Sequence, residues 1–233
     1  MPAAKSEWLQ LGGVAIKNSN TIQSVRNNET AVLVTQTIFR AEANQKLQIM
    51  FSSTNDKLGL IASTPRGEPT VPSMIFILVE LRNQRESIPY AQFSSSESQW
   101  GCSTPKSVRI ANNDDSKRIR NGGDFIEFLD AGTYFLMAAA QVGSFEGQGI
   151  GDVHLWMRLN GEDMANSNAI ETIFKTDTAV LVSQTVVVLE AGDKVQVMFS
   201  TDATEGKLGF VFTEAGGEPA VPSIIFSAFK SFV

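Results

Sequence analysis

Short runs of apolar residues, separated by turn residues, recur along the whole chain. The runs are rich in Val, Ile and Phe, and several alternate apolar with polar positions, which is typical of β-strands. Residues 137–140 favour a helix by propensity, but the preceding Thr-Tyr-Phe and the following glycine favour a strand. The pattern predicts strands at 7–11, 31–41, 46–52, 58–62, 73–81, 90–93, 125–129, 132–142, 153–160, 179–189, 194–200, 208–212 and 223–229.

The chain contains an internal repeat. Residues 8–52 match residues 156–200 at 21 of 45 positions, and residues 57–76 match residues 207–226 at 11 of 20. We call these the first and second copies; a two-residue insertion near 203–204 changes the offset from 148 to 150. The segment 83–150 has no counterpart before residue 8. We therefore predict a half domain at 1–82, the N-terminal unit, and a complete domain at 83–233, the C-terminal domain.

A half domain has a physical consequence, because strands without sheet partners leave open edges and an uncovered apolar face. Three arrangements would resolve this. Another subunit or protein supplies the missing strands, the half packs on the full domain of its own chain, or two halves pair with each other. We expect completion by another chain within an assembly.

Side-chain alternation predicts which faces are covered. In 194–200, Val195, Val197 and Phe199 share the core face, and the opposite face mixes Gln and Met. In 132–142 both faces are apolar, so a second cover is expected from a neighbouring subunit, with a loop of the same chain as the alternative. The predicted subunit-interface residues are Phe135, Met137, Gln196, Met198, Gln48 and Met50.

The charge balance excludes some classes of partner. Asp and Glu total 25 against 19 Lys and Arg, so the net charge is -6 and the pI is about 4.9. This argues against nucleic acid and anionic membranes as partners. With one cysteine, Cys102, no intrachain disulfide can form. We find no apolar signal core at the N-terminus and no run long enough to span a membrane, and expect folding in the cytoplasm.

No catalytic or metal-binding constellation is recognised in the sequence. The single histidine, His154, lies beside Asp152 without partners for a triad or a metal site. The glycine-rich run 147–151 lacks the context of a phosphate loop, and the acidic clusters at 112–115 and at Asp202 and Glu205 lack the ligand spacing of a calcium loop. We therefore expect no enzyme activity and no cofactor.

Five motifs of the C-terminal domain carry a resemblance to a known family, at 131–135, 156–161, 189–195, 207–210 and 222–226. They include a glycine-tyrosine strand, an Ala-Gly-Asp turn and an aromatic final strand. In this order they resemble the tumour necrosis factor and complement-globular-head superfamily, most closely its bacterial and bacteriophage members. The resemblance implies a ten-strand jelly roll and tight trimers. The first copy resembles only the later half, and reads Ala-Asn-Gln at 43–45 instead of Ala-Gly-Asp.

Two functions are considered. The first is a non-enzymatic structural protein of a bacteriophage particle, as a capsid-decoration, tail or fibre component that binds itself and other virion proteins. This would explain the duplicated unit and the lack of an active site. The alternative is a secreted or surface-bound bacterial module that recognises carbohydrate or protein, in which case it would be extracellular.

Overall fold

The computed structural model describes residues 3–25, 31, 33–62, 73, 74, 76, 78, 88–165, 167–202 and 207–231. The N-terminal unit contributes β1 (Ala3–Leu11), β2 (Val14–Ala15), β3 (Thr21–Val25) and β4 (Leu47–Ser53). The C-terminal domain contributes β5 (Tyr90–Ser95), β6 (Gln99–Trp100), β7 (Lys106–Ser107), β8 (Asn112–Lys117), β9 (Ile119–Asn121), β10 (Ile126–Phe128), β11 (Gly132–Ser144), β12 (Ile150–Leu159), β13 (Glu162–Asp163), β14 (Ala169–Phe174), β15 (Thr178–Leu189), β16 (Lys194–Thr201), β17 (Leu208–Phe210) and β18 (Ile224–Lys230), with a 3-10 turn at Phe145–Gly147.

The C-terminal domain is an antiparallel jelly-roll β-sandwich, which confirms the predicted fold class. The sandwich consists of two sheets, which we number 2 and 3. Sheet 2 has the strand order β13-β12-β16-β10-β9; in addition, β14 pairs with β12 and β7 pairs with β16. Sheet 3 has the strand order β6-β17-β11-β18-β5-β8, and β15 pairs with β11 as well. The N-terminal unit forms sheet 1, in which β1 pairs with β2, β3 and β4. No described helix is long and apolar enough to cross a membrane.

The core lies between sheets 2 and 3, where alternate residues of each strand meet. Tyr134, Leu136 and Ala138 of β11 point inward and are buried. The ring of Tyr134 packs edge-on against Phe128 at a centroid distance of 4.8 Å. The segment with helical propensity, 137–140, is a strand as predicted. It is paired on both edges, by β15 and by β18, and this pairing satisfies its backbone in the extended form.

Sheet 1 repeats part of sheet 2 residue for residue. The pairing of β1 with β4, from Lys5–Ser53 to Leu11–Leu47, has the register of β12 with β16 at an offset of 148. The pairings of β1 with β2 and with β3 correspond in the same way to those of β12 with β13 and with β14. The duplicated sequence has therefore kept the geometry of this half of the fold.

A buried serine is shared by the two copies. Ser19 Oγ accepts from the Leu9 amide at 3.0 Å and donates to the Ile16 carbonyl at 2.8 Å. Its counterpart Ser167 bonds Met157 and Met164 in the same way, at 3.0 and 2.9 Å. Each serine closes the connection after the first hairpin of its sheet.

Two turns take the left-handed backbone that their sequences allow. Asn160 and Gly161 join β12 to β13 with φ of 50° and 90°, as expected of an Asn-Gly hairpin turn. Asn44 has φ of 66° at the position where the second copy has Gly192, with φ of 94°. The first copy therefore keeps this turn although its Ala-Asn-Gln departs from Ala-Gly-Asp, because Asn tolerates the left-handed region.

The predicted strands at 31–41 and 58–62 are wrong for the described residues of those segments, which form no strand. Their counterparts in the second copy are β15 and β17, and both pair with β11. The first copy has no counterpart of β11 among the described residues, and a strand needs a partner for its backbone groups. The predicted strand at 73–81 lies mostly outside the described residues.

Two charged residues of sheet 1 stand at core positions. Lys5 and Glu7 are buried, at the register positions of Val153 and Leu155. Burial lowers the pKa of Lys5 and raises that of Glu7, while their mutual attraction opposes both shifts. The Lys5 ammonium also donates to the Ala31 carbonyl at 3.0 Å. The unit consequently lacks a wholly apolar interior.

Candidate interaction surface

The outer face of sheet 3, turned away from the core, is the candidate site. Its side chains form cross-strand rows on β5, β18, β11 and β15. The rows are Tyr90, Phe229, Phe135 and Val186; then Gln92, Ser227, Met137 and Gln184; then Ser94, Ile225, Ala139 and Val182; and finally Gln141 and Val180. Both faces of β11 are therefore rich in apolar groups, as its sequence predicted.

One part of this face is covered by the N-terminal unit of the same chain. The free edge of β3 meets Gln141, which is only 3% exposed. The Gln141 side chain donates to the Ile22 carbonyl at 2.7 Å and accepts from the Ile22 amide at 2.9 Å. The amide thus pairs with β3 as a neighbouring strand would, and it satisfies an edge that would otherwise be open.

Further hydrogen bonds hold the N-terminal unit on this face. The hydroxyls of Ser24 and Thr178 lie 2.9 Å apart, and the Thr178 amide donates to Ser24 Oγ at 2.9 Å. Gln92, also buried, accepts from the Ile38 amide. Asn18 donates to Ser94 Oγ at 3.0 Å. The docking is polar and specific, and the half unit packs on its own chain in this structure.

A cluster of charged residues lies at one side of the contact between the N-terminal unit and sheet 3. Arg40 Nε donates to Asp115 at 3.0 Å, and its Nη2 donates to the Tyr90 hydroxyl at 3.0 Å. The hydrogen bond from Arg40 holds the pKa of Asp115 below its ordinary value. Burial raises the pKa of the adjacent Asp114, which accepts from Asn18 at 2.6 Å. Arg40, Asp114 and Asp115 line a cleft of about 510 Å³ between the N-terminal unit and β8.

Another part of the face carries apolar side chains that remain partly exposed. We call Phe135, Phe229, Met137, Val186 and Val188 the open patch. The rings of Phe135 and Phe229 lie 5.3 Å apart, centroid to centroid, and both are half-buried. Val186 and Val188 are 64% and 68% exposed. A row of apolar groups across several strands, next to an established docking contact, is typical of an interaction surface.

The predicted interface residues lie on three different faces. Phe135 and Met137 belong to the open patch. Gln196 and Met198 lie on the outer face of sheet 2, where Met198 is 4% exposed and pairs with Trp156 and Ser107. Their counterparts Gln48 and Met50 lie on sheet 1, with Gln48 exposed and Met50 half-buried. The structure therefore brings together Phe135 and Met137 but not the other four.

Sequence reasoning missed the partners of Phe135 on neighbouring strands. Phe229 and Val186 face the same side because they stand opposite Phe135 in register. The alternation of the final strand, in which Ile225 and Phe229 share one face, was a signal that could have identified this surface. Gln141 gave no such signal, because an isolated glutamine in a strand is ordinarily solvent-facing.

The described residues contain no group of three or more His, Cys, Asp and Glu that could hold a metal ion. His154 lies half-buried on the outer face of β12, between Ile170 on β14 and Ser200 on β16 in the strand register. Asp152, its neighbour along the chain, accepts from Thr172 at 2.6 Å. The geometry around this histidine is that of an ordinary strand surface.

Comparisons with known proteins concern the fold alone. No protein-family model and no curated protein matches this chain. Among solved structures, the globular domain of the zebrafish complement 1qA protein is similar at 14% identity, with 62% of this chain and 98% of that chain covered and a TM-score of 0.42. Murine APRIL, crystallised at pH 5.0, is similar at 12% identity, with 62% and 100% covered and a TM-score of 0.42.

Proposed function

We propose that this chain is a non-enzymatic structural protein that assembles with copies of itself through the open patch, most simply as a trimer. The observation that carries the proposal is the apolar row of Phe229, Phe135 and Val186, in which Val186 is 64% exposed and both rings are half-buried. It lies beside the rows that the N-terminal unit contacts through Gln92 and Gln141. A symmetric assembly would bury this row on every subunit.

The energetics favour association. Fully burying a valine or phenylalanine side chain is worth about 1.5–3 kcal/mol. The two exposed valines and the two half-buried phenylalanines of the open patch would therefore offset a large part of the entropic cost of association. The resemblance of the sequence motifs to the tumour necrosis factor and complement-globular-head superfamily supports trimers, since trimers are the ordinary state of that family.

The assembly is tested by light scattering coupled to size exclusion. Phe135→Asp and Val186→Asp place a charge in the open patch, and we expect each to lower the mass to that of one chain, 25.3 kDa. Ile170→Asp is the matched control, because Ile170 is 55% exposed on β14 of sheet 2, outside the patch. A mass unchanged by both patch variants, or lowered equally by the control, contradicts the assignment.

We further propose that the assembly is part of a bacteriophage particle, as a capsid-decoration, tail or fibre component in contact with other virion proteins. The duplicated sheet and the polar docking of the N-terminal unit on sheet 3 are consistent with a protein that contacts several neighbours in an assembly. Mass spectrometry of purified particles tests this placement directly. Recovery of the chain only from the bacterial surface or medium would instead favour the secreted binding module.

A further inference from the structure

The strand β15 lies at an edge of sheet 3. Over 178–189 it pairs with β11 on one side, and no described strand pairs with its other side. Main-chain groups of successive residues in an antiparallel strand turn to opposite sides. Gln23 of the N-terminal unit identifies the open side, because its side-chain amide donates to the Thr178 carbonyl at 3.4 Å and accepts from the Val180 amide at 3.2 Å. The even-numbered residues of β15 therefore turn their N–H and C=O groups away from β11.

This open edge continues beyond the contact with Gln23. The even-numbered residues of 182–188 carry its remaining main-chain donors and acceptors. Val186 and Val188 are 64% and 68% exposed. Among the described residues, the only hydrogen bond to these outward groups is a 3.5 Å contact from the Thr185 hydroxyl to the Val186 carbonyl. A row of main-chain groups is therefore available to a further strand.

The sequence of this edge contains none of the features that ordinarily prevent strand pairing. Proteins protect exposed edges with charged residues, with proline, or with bulges that turn the edge away. β15 contains no charged residue, no proline and no glycine. Its register with β11 is continuous over 178–189, without a bulge. The edge is therefore long, regular and suited to pairing.

We propose that β15 binds an extended segment of another protein, which adds to sheet 3 as a further strand along 182–188. In this mode of binding, main-chain pairing gives affinity and alternate side chains give specificity. On the outer face the side chains of the added strand would lie beside Val186 and Val188. On the inner face they would lie beside Val187, which is half-buried against the core. The partner is therefore an uncharged segment with apolar side chains on both faces.

The proposed site is continuous with an established contact. Gln23 already bonds the first part of the same edge as a neighbouring strand would. A second copy of the chain could offer only its own β15 edge here, since its β11 is paired on both sides. Two β15 strands pair antiparallel across a two-fold axis, whereas a trimer has a three-fold axis. The choice of a different protein as the donor rests on the proposed trimer in this one respect.

The probe is a synthetic peptide with the sequence of residues 133–140, flanked by lysines for solubility. This sequence is chosen because β11 already pairs with the opposite edge of β15. The peptide is added to the full chain carrying Phe135→Asp, which we expect to remain a single chain. We expect it to slow hydrogen exchange of the even-numbered amides in 182–188 by roughly tenfold or more. The odd-numbered amides, which face β11, should exchange as before.

A matched pair of variants at Gln184 tests the edge itself. Gln184→Pro removes one outward amide, and proline is tolerated on an edge strand where the N–H faces solvent. We expect it to weaken peptide binding at least roughly fivefold, whereas Gln184→Ala keeps the amide and should bind like the parent chain. With Phe135 intact, neither variant should change the mass of the assembly. Strand binding and self-assembly can thus fail separately.

Three outcomes would overturn the proposal. The first is unchanged exchange of the even-numbered amides in the presence of the peptide. The second is equal peptide binding by Gln184→Pro and Gln184→Ala. The third is protection of the same amides without peptide that rises with protein concentration and is lost in Gln184→Pro, because a second copy would then be the occupant.

Discussion

Gln141 offers the sharpest test of the contact between the N-terminal unit and sheet 3. Gln141→Met keeps the approximate size of the side chain and removes both hydrogen bonds to Ile22, of 2.7 and 2.9 Å. Each bond contributes about 0.5–1.5 kcal/mol net, and the Ile22 groups left unpaired under the contact add a further penalty. We therefore expect the free energy that holds β3 on sheet 3 to fall by about 2–4 kcal/mol.

Hydrogen exchange measures this loss locally. At 1.4 kcal/mol for each factor of ten, the Ile22 amide should exchange roughly 30- to 700-fold faster in Gln141→Met. Amides of β11 paired with β15 should keep their protection, because the sandwich core is untouched. Gln184→Met is the matched control, since Gln184 is exposed on the same face of sheet 3. Equal exchange of Ile22 in the two variants would refute the role given to Gln141.

Three further predictions follow from buried or paired groups. Arg40 lowers the pKa of Asp115, so this ion pair stabilises the fold fully above pH 3.8, the ordinary carboxyl pKa, and the stabilisation is lost as the pH falls below it. The NMR signal of Arg40 Nε–H should change as the pH is lowered from 3.8. A signal that stays constant down to roughly pH 2 would contradict the pairing. The chain has two tyrosines, so Tyr90→Phe leaves only Tyr134. Burial raises the pKa of Tyr134 from 10.0 to about 12. A pH titration followed by tyrosinate absorbance should therefore have its midpoint near that raised value and not near 10. Ser167→Ala should cost the C-terminal domain about 1–3 kcal/mol in urea unfolding, whereas Ser19→Ala should affect only the exchange of the N-terminal unit.

The sequence repeat predicted the sheet geometry well but not its completion. Matching residues gave matching register in sheets 1 and 2, since the serine at 19 and 167 and the turn at 44 and 192 fix the same local bonds. The segment 31–41 shares the pattern of β15 and yet forms no strand over its described residues. Strand formation there depends on a partner strand, which residue pattern alone does not provide.

The surface was harder to predict than the fold. Phe135 and Met137 were predicted to meet a neighbouring subunit because both faces of their strand are apolar, and that contact stays a prediction. The docking of the N-terminal unit on its own chain could not be predicted, since it depends on polar side chains such as Gln141, Gln92 and Asn18 that meet backbone groups far away in sequence. Met198 was predicted to lie at a subunit interface, but its own chain already leaves it only 4% exposed, between its cross-strand neighbours Trp156 and Ser107.

Sedimentation velocity of the unmodified chain, over a range of concentrations, tests the central claim most directly. The outer face of sheet 3 carries apolar side chains that its own chain leaves partly exposed. Copies of the chain should therefore bury these side chains at a subunit interface. We expect a discrete species with three times the chain mass of 25.3 kDa, which Val186→Asp dissociates. A species that stays at the mass of one chain at every concentration would contradict the account.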